Sequence, residues 1–266
     1  MANARKWLVN LWSEVLGQKM STRLIPLIIP NLRWNQEIFG QILGQYVKKE
    51  GRWLDAGCGH QLLPDRFQNI EKDLASRPQL MVGIDLDVAS LRKHRSIRLV
   101  VCSNLAEIPF LDGTFDLLAC NMVVEHLRDP SIPFREFARV LREDGTVIIH
   151  TPNALNYLVC TGRLLKSLLP RRVITRLVKW SEYREPEDIF PTFYRANTPD
   201  RLPRLMRQAG FSEEKRQMLV NPKPVCSFFA PAALVELLVM RATMSKHFCS
   251  FAATMVGVYR KNSAYP

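Results

Sequence analysis

Short apolar runs alternate with amphipathic helical segments through the central part of the chain. The apolar runs have the composition of buried strands, and they are RWLDA (52–56), LMVGIDL (80–86), IRLVVC (97–102), FDLLACN (115–121) and TVIIHT (146–151). Strands this apolar, separated by helices, predict a parallel α/β sheet covered by helices on both faces. Ligands of such sheets bind at the carboxyl ends of the strands, near the point where the strand order reverses.

The helices expected between these strands cover 63–77, 88–95 and 131–144. Pro64 suits the first turn of a helix, and Gly145 is a typical residue just past a helix end. Beyond the fifth strand, Thr198 and Pro199 predict the start of another helix, which should end before Gly210. A mostly apolar helix is expected between two closing strands, 214–220 and 251–260.

The first predicted strand leads into a loop with two glycines, Gly57 and Gly59, in the sequence WLDAGCGHQLLP (53–64). The dinucleotide fingerprint G-x-G-x-x-G requires a third glycine at position 62, where this chain has Leu62, so NAD is a poor fit. S-adenosylmethionine, which has no phosphates, is the alternative ligand. The two glycines would let the backbone approach such a ligand closely.

Three polar residues near the predicted strand ends match the groups of S-adenosylmethionine. Asp55 ends the first strand and suits the ammonium group, directly or through water. Asp85 ends the second strand and suits the two ribose hydroxyls. Asn104 follows the third strand, and its amide both accepts and donates hydrogen bonds, as an adenine edge requires. These residues predict one S-adenosylmethionine site at the carboxyl edge of the sheet.

Four ordered motifs resemble those of class I S-adenosylmethionine-dependent methyltransferases with a type 11-like domain. They are LDAGCG, GIDLD, AEIPFLDGTFDLLACNMVVEHLRDP and LREDGTVIIHTPN, within about residues 51–153. The resemblance implies a Rossmann-like seven-stranded sheet with an antiparallel last strand, for which 251–260 is the candidate. It also implies cofactor contacts by Asp55, Ala56, Gly57, Cys58, Gly59, Asp85, Leu86, Ser103, Asn104, Leu105 and Asn121.

Two residues depart from the usual pattern of that family. Gln61 stands where a third loop glycine is common, which leaves the local path of the loop open. Asn104 stands where Asp is usual. The second change is mild, because an amide oxygen still accepts a hydrogen bond from the exocyclic amine of adenine.

The regular alternation of strands and helices stops after the fifth strand, and no linker divides the chain into independent domains. We therefore predict one α/β domain with additions. Its parts are an N-terminal helical extension (1–50), a cofactor-binding core (51–153), a helical insertion that forms the acceptor side or a lid (154–197), and the C-terminal part of the same domain (198–266).

The net charge of +12 belongs mainly to the second half of the chain. Residues 151–266 hold 18 basic and eight acidic side chains, so an anionic partner is expected there. Within that half, residues 154–181 hold six basic side chains and no acidic one, with leucines at helical spacing. Such a segment suits contact with an anionic membrane. The alternative is that its apolar face packs on the edge of the sheet.

The cysteine pattern and the terminal sequence indicate the compartment. Six scattered cysteines form no CxxC pair, which favours a reducing cytosol and indicates neither a zinc site nor a disulfide framework. The apolar run near the N-terminus contains Glu14 and lacks a cleavage site, so an amphipathic helix is favoured over a signal peptide. We expect a cytoplasmic protein without a metal, with peripheral attachment to the inner face of the membrane as a further expectation.

The acceptor is less well defined than the cofactor. HTPN and EDIFPTFYRANTP resemble methyltransferases associated with bacterial surface-polysaccharide biosynthesis, which implies O-methylation of a sugar, a lipid-linked glycan or another small molecule. The alternatives are a quinone or lipid methyltransferase at the membrane surface and a non-catalytic S-adenosylmethionine-binding protein of the same fold. Nucleic acid is not expected, because the basic residues alternate with aliphatic rather than aromatic side chains. The oligomeric state is not indicated.

A hydroxyl acceptor requires a general base. The candidates nearest the expected cleft are His150, His126 and Glu125. Each also has a structural interpretation, since Glu125 and His126 would fix the turn after the fourth strand and His150 ends the fifth. The sequence does not decide between these roles.

Overall fold

The computed structural model describes residues 23–168, 191–221, 224 and 230–263. Its strands are β1 (Arg52–Ala56), β2 (Leu80–Asp85), β3 (Leu99–Cys102), β4 (Phe115–Asn121), β5 (Leu141–Pro152), β6 (Phe211–Leu219) and β7 (Thr254–Lys261). They form one sheet with the order β3-β2-β1-β4-β5-β7-β6. The first five strands are parallel, and β7 is antiparallel to both of its neighbours. The predicted seven-stranded Rossmann-like sheet with an antiparallel last strand is therefore confirmed.

The helices are α1 (Asn35–Tyr46), α2 (Gln68–Ser76), α3 (Val88–Arg92), α4 (Ser131–Val140), α5 (Tyr157–Leu168), α6 (Arg201–Gln208) and α7 (Ala230–Thr243). Residues 23–28 are also helical. The remainder of the predicted N-terminal extension (1–22) and residues 169–190 of the predicted insertion lie outside the described residues. The expected membrane segment 154–181 is therefore described only as far as Leu168.

Alternating strand residues build two apolar cores, one on each face of the sheet. Leu54 and Leu118 pack in the core that also contains Phe134 and Phe137 of α4. Their strand neighbours pack in the other core with side chains from α1, α2 and α3. Both faces of the central strands are buried, which explains why these strands are continuously apolar in the sequence.

Two predicted helices end earlier than the sequence pattern indicated. The third helix ends at Val140 rather than beside Gly145, because Leu141 already pairs with Phe115 and begins β5. The second ends at Arg92 rather than at residue 95. There the ring Nδ1 of His94 accepts backbone N–H groups from two residues that follow it, at 3.3 and 3.0 Å, which turns the chain towards β3.

A buried ion pair fixes the segment that follows the glycine loop. Glu71 of α2 is fully buried and lies 2.6 Å from Nη2 of Arg95. Its carboxylate also accepts hydrogen bonds from the Ser96 hydroxyl and from the backbone N–H of Leu63, the latter at 3.0 Å. Burial raises the pKa of this carboxyl, but the hydrogen bonds from Arg95, Ser96 and Leu63, together with the charge of Arg95, outweigh burial and hold the pKa below its ordinary value. The charged carboxylate thus joins α2, the loop and the segment before β3.

Replacement of Arg95 by Ala should lower the free energy of unfolding at neutral pH by about 3 kcal/mol, because Glu71 would remain buried and unpaired. The difference from wild type should shrink in acid, where protonation of the orphaned carboxyl removes its charge. Urea unfolding at several pH values measures this. Arg92→Ala is the matched control, since Arg92 is exposed and has no ion pair among the described residues. Equal losses in both variants would contradict the assignment.

Candidate functional site

The loop between β1 and α2 folds back on the end of β2. The N–H groups of Gly57 and Cys58 both donate to the carbonyl of Ile84, at 2.7 and 3.0 Å. Gly57 has a φ of +76°, and a Cβ there would lie 2.3 Å from Cγ2 of Val123. Gly59 has a φ of +53°, but a Cβ there would meet nothing within 4 Å. Packing therefore requires glycine at position 57, whereas Gly59 leaves open space for a ligand.

The backbone conformation at Gln61 shows why the loop does not need a third glycine. Its φ is not positive, so the backbone at this position does not require glycine. The side chain is half-buried. The loop therefore accommodates Gln61 without the conformational strain that a left-handed position would impose.

Asp85 connects the loop to the end of β2. Its Oδ2 accepts the N–H of Gly59 at 2.9 Å, and its Oδ1 accepts the N–H of Asp87 at 2.9 Å. Each oxygen has a second lone pair available for a ligand. The next residue, Leu86, is 66% exposed, so an apolar side chain adjoins the carboxylate.

Asp55 is the buried acid at the end of β1. It is 4% exposed, and its carboxyl group has no hydrogen-bond partner within the described ranges. Burial raises its pKa to about 8, with a further contribution from the negative charges of Asp85 and Glu71. A cationic group placed beside Asp55 would favour the ionised carboxylate.

The remaining predicted contacts divide into exposed and buried residues. Asn104 is exposed, and its Oδ1 accepts the N–H of Ala106 at 3.0 Å in a turn after β3. Ser103 supports this turn by donating to the Glu107 carbonyl at 3.0 Å. The side chains that pack into the two cores are those of Ala56, Cys58 and Leu105. These three can offer a ligand little more than their backbone.

Asn121 and His150 belong to one buried hydrogen-bond network. His150 is 1% exposed and stacks on Phe39, with 5.3 Å between ring centroids. Its Nδ1 lies 2.9 Å from Oδ1 of Asn121, and its Nε2 lies 3.1 Å from Oγ1 of Thr254. Burial lowers the pKa of His150 to about 4, so the ring is neutral at physiological pH. Both ring nitrogens are engaged, which favours the structural role over the catalytic one.

Helix α1 contributes two residues to this network that the sequence analysis did not single out. Asn35 Nδ2 donates to Thr254 Oγ1 at 3.1 Å. Gln36 exchanges two hydrogen bonds with Asn121, at 3.3 and 3.0 Å. A polar pair at the start of a helix is the only sequence signal for them, and it does not reveal their partners.

Glu125 and His126 lie in a short 3-10 turn after β4. Glu125 is 3% exposed and accepts the Thr151 hydroxyl at 2.9 Å. Its backbone carbonyl accepts the N–H groups of Phe193 and Tyr194 at 2.7 and 3.1 Å. The His126 side chain is 29% exposed. The segment that returns to the fold at the end of the insertion is therefore hydrogen-bonded to the carboxyl edge of the sheet.

A cavity of about 320 Å³ lies beside this junction. It is lined by Leu158, Val159, Gly162 and Arg163 of α5 and by Thr192 and Tyr194. The Arg163 guanidinium lies 4.7 Å from the centre of the Tyr194 ring. Both walls come from the predicted insertion 154–197. Within the described part of the chain, no cluster of side chains could hold a metal ion.

A methyltransferase-domain family model matches residues 34–215, and the chain belongs to this family. A probable S-adenosylmethionine-dependent methyltransferase of Mycobacterium tuberculosis is 33% identical over 107 residues, which are 39% of this chain and 36% of that protein. A ubiquinone biosynthesis O-methyltransferase of Pseudomonas paraeruginosa is 29% identical over 132 residues, which are 44% of this chain and 53% of that protein. The chain thus matches about half, or less, of the length of these relatives.

The solved structure of the cyclase SpnF has the same fold. It has a TM-score of 0.53 and 14% sequence identity, and the match covers 94% of this chain and 97% of SpnF. At this identity the likeness shows the fold alone. Because a cyclase shares the fold, the reaction has to be argued from the residues of the site.

Asp55→Asn should stabilise the protein above about pH 8 and have little effect near pH 4. The pKa of Asp55 is about 8 in the fold against 3.8 ordinarily, so between these values the folded state binds the extra proton. Wild type therefore loses stability as the pH rises through this window, and the Asn variant, which does not ionise, should not. Urea unfolding across the window measures the difference. If the stability of the two proteins changed in the same way with pH, the raised pKa of Asp55 would be contradicted.

Proposed function

We propose that this protein is an S-adenosylmethionine-dependent methyltransferase that methylates a hydroxyl of a sugar, a lipid-linked glycan or another small molecule. The observation that carries the proposal is the hydrogen bond from Gly59 N–H to Asp85 Oδ2 at 2.9 Å, which joins the glycine loop to the acid predicted to bind ribose. Methyltransferase-domain membership and the mycobacterial relative support S-adenosylmethionine-dependent methyl transfer, and the hydroxyl acceptor is our proposal.

The residues at this edge suit the cofactor. Asp85 would accept the ribose hydroxyls, and the exposed Leu86 would lie against the adenine. The space open at Gly59 would admit the ligand, and Asp55, buried without a partner among the described residues, would meet its ammonium group. When bound, S-adenosylmethionine supplies an electrophilic methyl group on its sulfonium. The chain has mainly to hold the acceptor oxygen in line with that methyl and to exclude water.

Among the three candidates for the general base, we favour His126. Its side chain is 29% exposed, whereas that of Glu125 is 4% exposed. His150 is 1% exposed, with both ring nitrogens in hydrogen bonds. His126 also follows Glu125, whose backbone carbonyl accepts the N–H groups of Phe193 and Tyr194, and Tyr194 lines the 320 Å³ cavity. The Nδ1 of His126 lies 3.0 Å from the carbonyl oxygen of Pro191, which can only accept, so Nδ1 carries the proton and Nε2 would take the proton of the acceptor hydroxyl.

A quinone-type lipid that carries a ring hydroxyl is the second candidate acceptor. Ubiquinone biosynthesis O-methyltransferases of several bacteria match this chain, and they favour this alternative. The relatives reported above lend no support to a surface-polysaccharide acceptor, which stays a prediction. Acceptor selection is assigned to the insertion 154–197, because both walls of the cavity come from it.

Asp85→Ala should weaken S-adenosylmethionine binding by about 100-fold or more. The change removes two hydrogen bonds to a charged acceptor, each contributing about 1.5–3 kcal/mol. Titration calorimetry measures the affinity. Asp87→Asn is the control, since Asp87 caps α3 and its carboxylate accepts from Ala89 and Ser90 instead. Unchanged affinity in Asp85→Ala would remove the ribose assignment.

Methyl-labelled S-adenosylmethionine, incubated with the protein and an extract of cell-envelope lipids and glycans, should label an O-methyl product. His126→Ala should lower the initial rate about 100-fold, as expected for loss of a general base. The affinity for S-adenosylmethionine should not change. Full activity in His126→Ala would exclude this base, and cofactor binding without any labelled product would favour the non-catalytic alternative.

A further inference from the structure

Helix α7 presents an apolar face to solvent. Four of its side chains are 39–61% exposed, and they are Leu234, Val235, Leu238 and Val239. They form two adjacent pairs that lie four residues apart, which places all four on one stripe along the helix. The opposite side of the helix is buried, and there Leu237 and Met240 pack with Ile29. We call the exposed stripe the α7 face.

Apolar exposure continues in the turns that follow the helix. Met244, Phe248 and Phe251 are 44%, 54% and 48% exposed. In the helical segment 23–28, which packs against α7 through the buried cluster, Leu27 is 77% exposed. Scattered exposed leucines are normal on a protein surface, but apolar side chains concentrated on one helix and the turns beside it indicate an interaction surface.

The charge around the α7 face is of one sign. From residue 220 to 266 the sequence has a single acidic side chain, Glu236, which is 5% exposed and accepts the Tyr157 hydroxyl at 2.5 Å. Arg23, Arg241 and Lys246 are exposed and have no carboxylate partner among the described residues. An apolar stripe with basic side chains at its margins has the composition of a helix that lies in a lipid interface.

The α7 face is held beside the carboxyl edge of the sheet. The turn after α7 is fixed by Asn153, whose Nδ2 donates to the carbonyls of Ser250 and Ala252, both at 2.8 Å. Directly after this turn, Thr254 begins β7 and hydrogen-bonds to His150 at the end of β5. A surface that contacted α7 would therefore lie next to the side from which an acceptor enters.

We propose that the α7 face docks on an anionic lipid bilayer. The helix would lie in the interface with its leucines and valines among the acyl chains, and the basic margin would meet the headgroups. None of the helices described in the structure has the length and apolarity needed to cross a bilayer. The consequence, which rests on the proposed function, is that the acceptor is carried by a lipid and reaches the site from the membrane plane.

The test is co-sedimentation of the full chain with vesicles of phosphatidylcholine alone and of phosphatidylcholine with phosphatidylglycerol, over a range of salt concentrations. Wild type should sediment with the anionic vesicles, and added salt should weaken the binding. Leu238→Asp should weaken it at least about 10-fold, since it removes a large apolar side chain from the interface. Leu111→Asp is the matched control, because Leu111 is 83% exposed and lies in the turn before β4, at the edge of the sheet opposite the carboxyl edge.

Equal binding to both vesicle types, or equal binding of Leu238→Asp and wild type, would overturn the docking proposal. Absence of vesicle binding would also overturn it. If the wild type were then a dimer and Leu238→Asp a monomer, the α7 face would be a protein interface. S-adenosylmethionine affinity, measured on the same samples, keeps the two proposals separate. Vesicle binding without S-adenosylmethionine binding would leave the docking proposal intact and contradict the proposed function. S-adenosylmethionine binding without vesicle binding would contradict the docking proposal and leave the proposed function intact.

Discussion

The neutral imidazole of His150 holds the carboxyl edge of the sheet together. Asn35 donates to Thr254, whose hydroxyl then donates to Nε2 of the ring, and Nδ1–H donates to Asn121. This assignment of protons follows from the network and works only for the uncharged ring, because an imidazolium has no acceptor to offer. Burial keeps the pKa of His150 at about 4, far enough below neutrality to preserve that form. One ring thereby ties β5 to β4, to β7 and, through them, to α1.

The glycine loop depends on this arrangement through Asn121. The Nδ2 of Asn121 also donates to the carbonyl of Leu62 at 3.3 Å, so the network reaches the loop that follows Gly59. On the other side of the loop, the Leu63 carbonyl accepts from Arg95 at 2.6 Å. Two consecutive loop residues are thus fixed from opposite sides. Leu62 is held by the neutral network around His150, and Leu63 is held by the Arg95 side chain of the ion pair with Glu71. The loop can keep its shape with Gln61 in place of a third glycine because its anchors lie outside the loop.

Local patterns made the fold predictable, and local patterns also carry the cofactor-site prediction. Each buried strand is a short apolar run, and Asp85 lies at the end of one of these runs. The strands and the position of Asp85 could therefore be predicted without knowledge of distant contacts. The network was not predictable, because Asn35 and Thr254 are separated by 219 residues and no spacing rule connects them. The end of the helix before β5 was predicted too late because Gly145 looked like a stop signal. Pairing of Leu141 with Phe115, a tertiary contact, overrode that local preference.

The two sides of the edge are built from different kinds of structure, and this bears on how an acceptor is chosen. The side on which we propose that the cofactor binds is the short loop between β1 and α2, and hydrogen bonds to Ile84 and Asp85 at the end of β2 fix its residues. The other side is assembled from distant parts, since Glu125 binds Thr151, and Asn197 donates to that same hydroxyl at 2.6 Å. The insertion leaves and re-enters the fold at these anchors. Its residues can therefore differ without moving the glycine loop, and the adjoining α7 face can meet a separate surface.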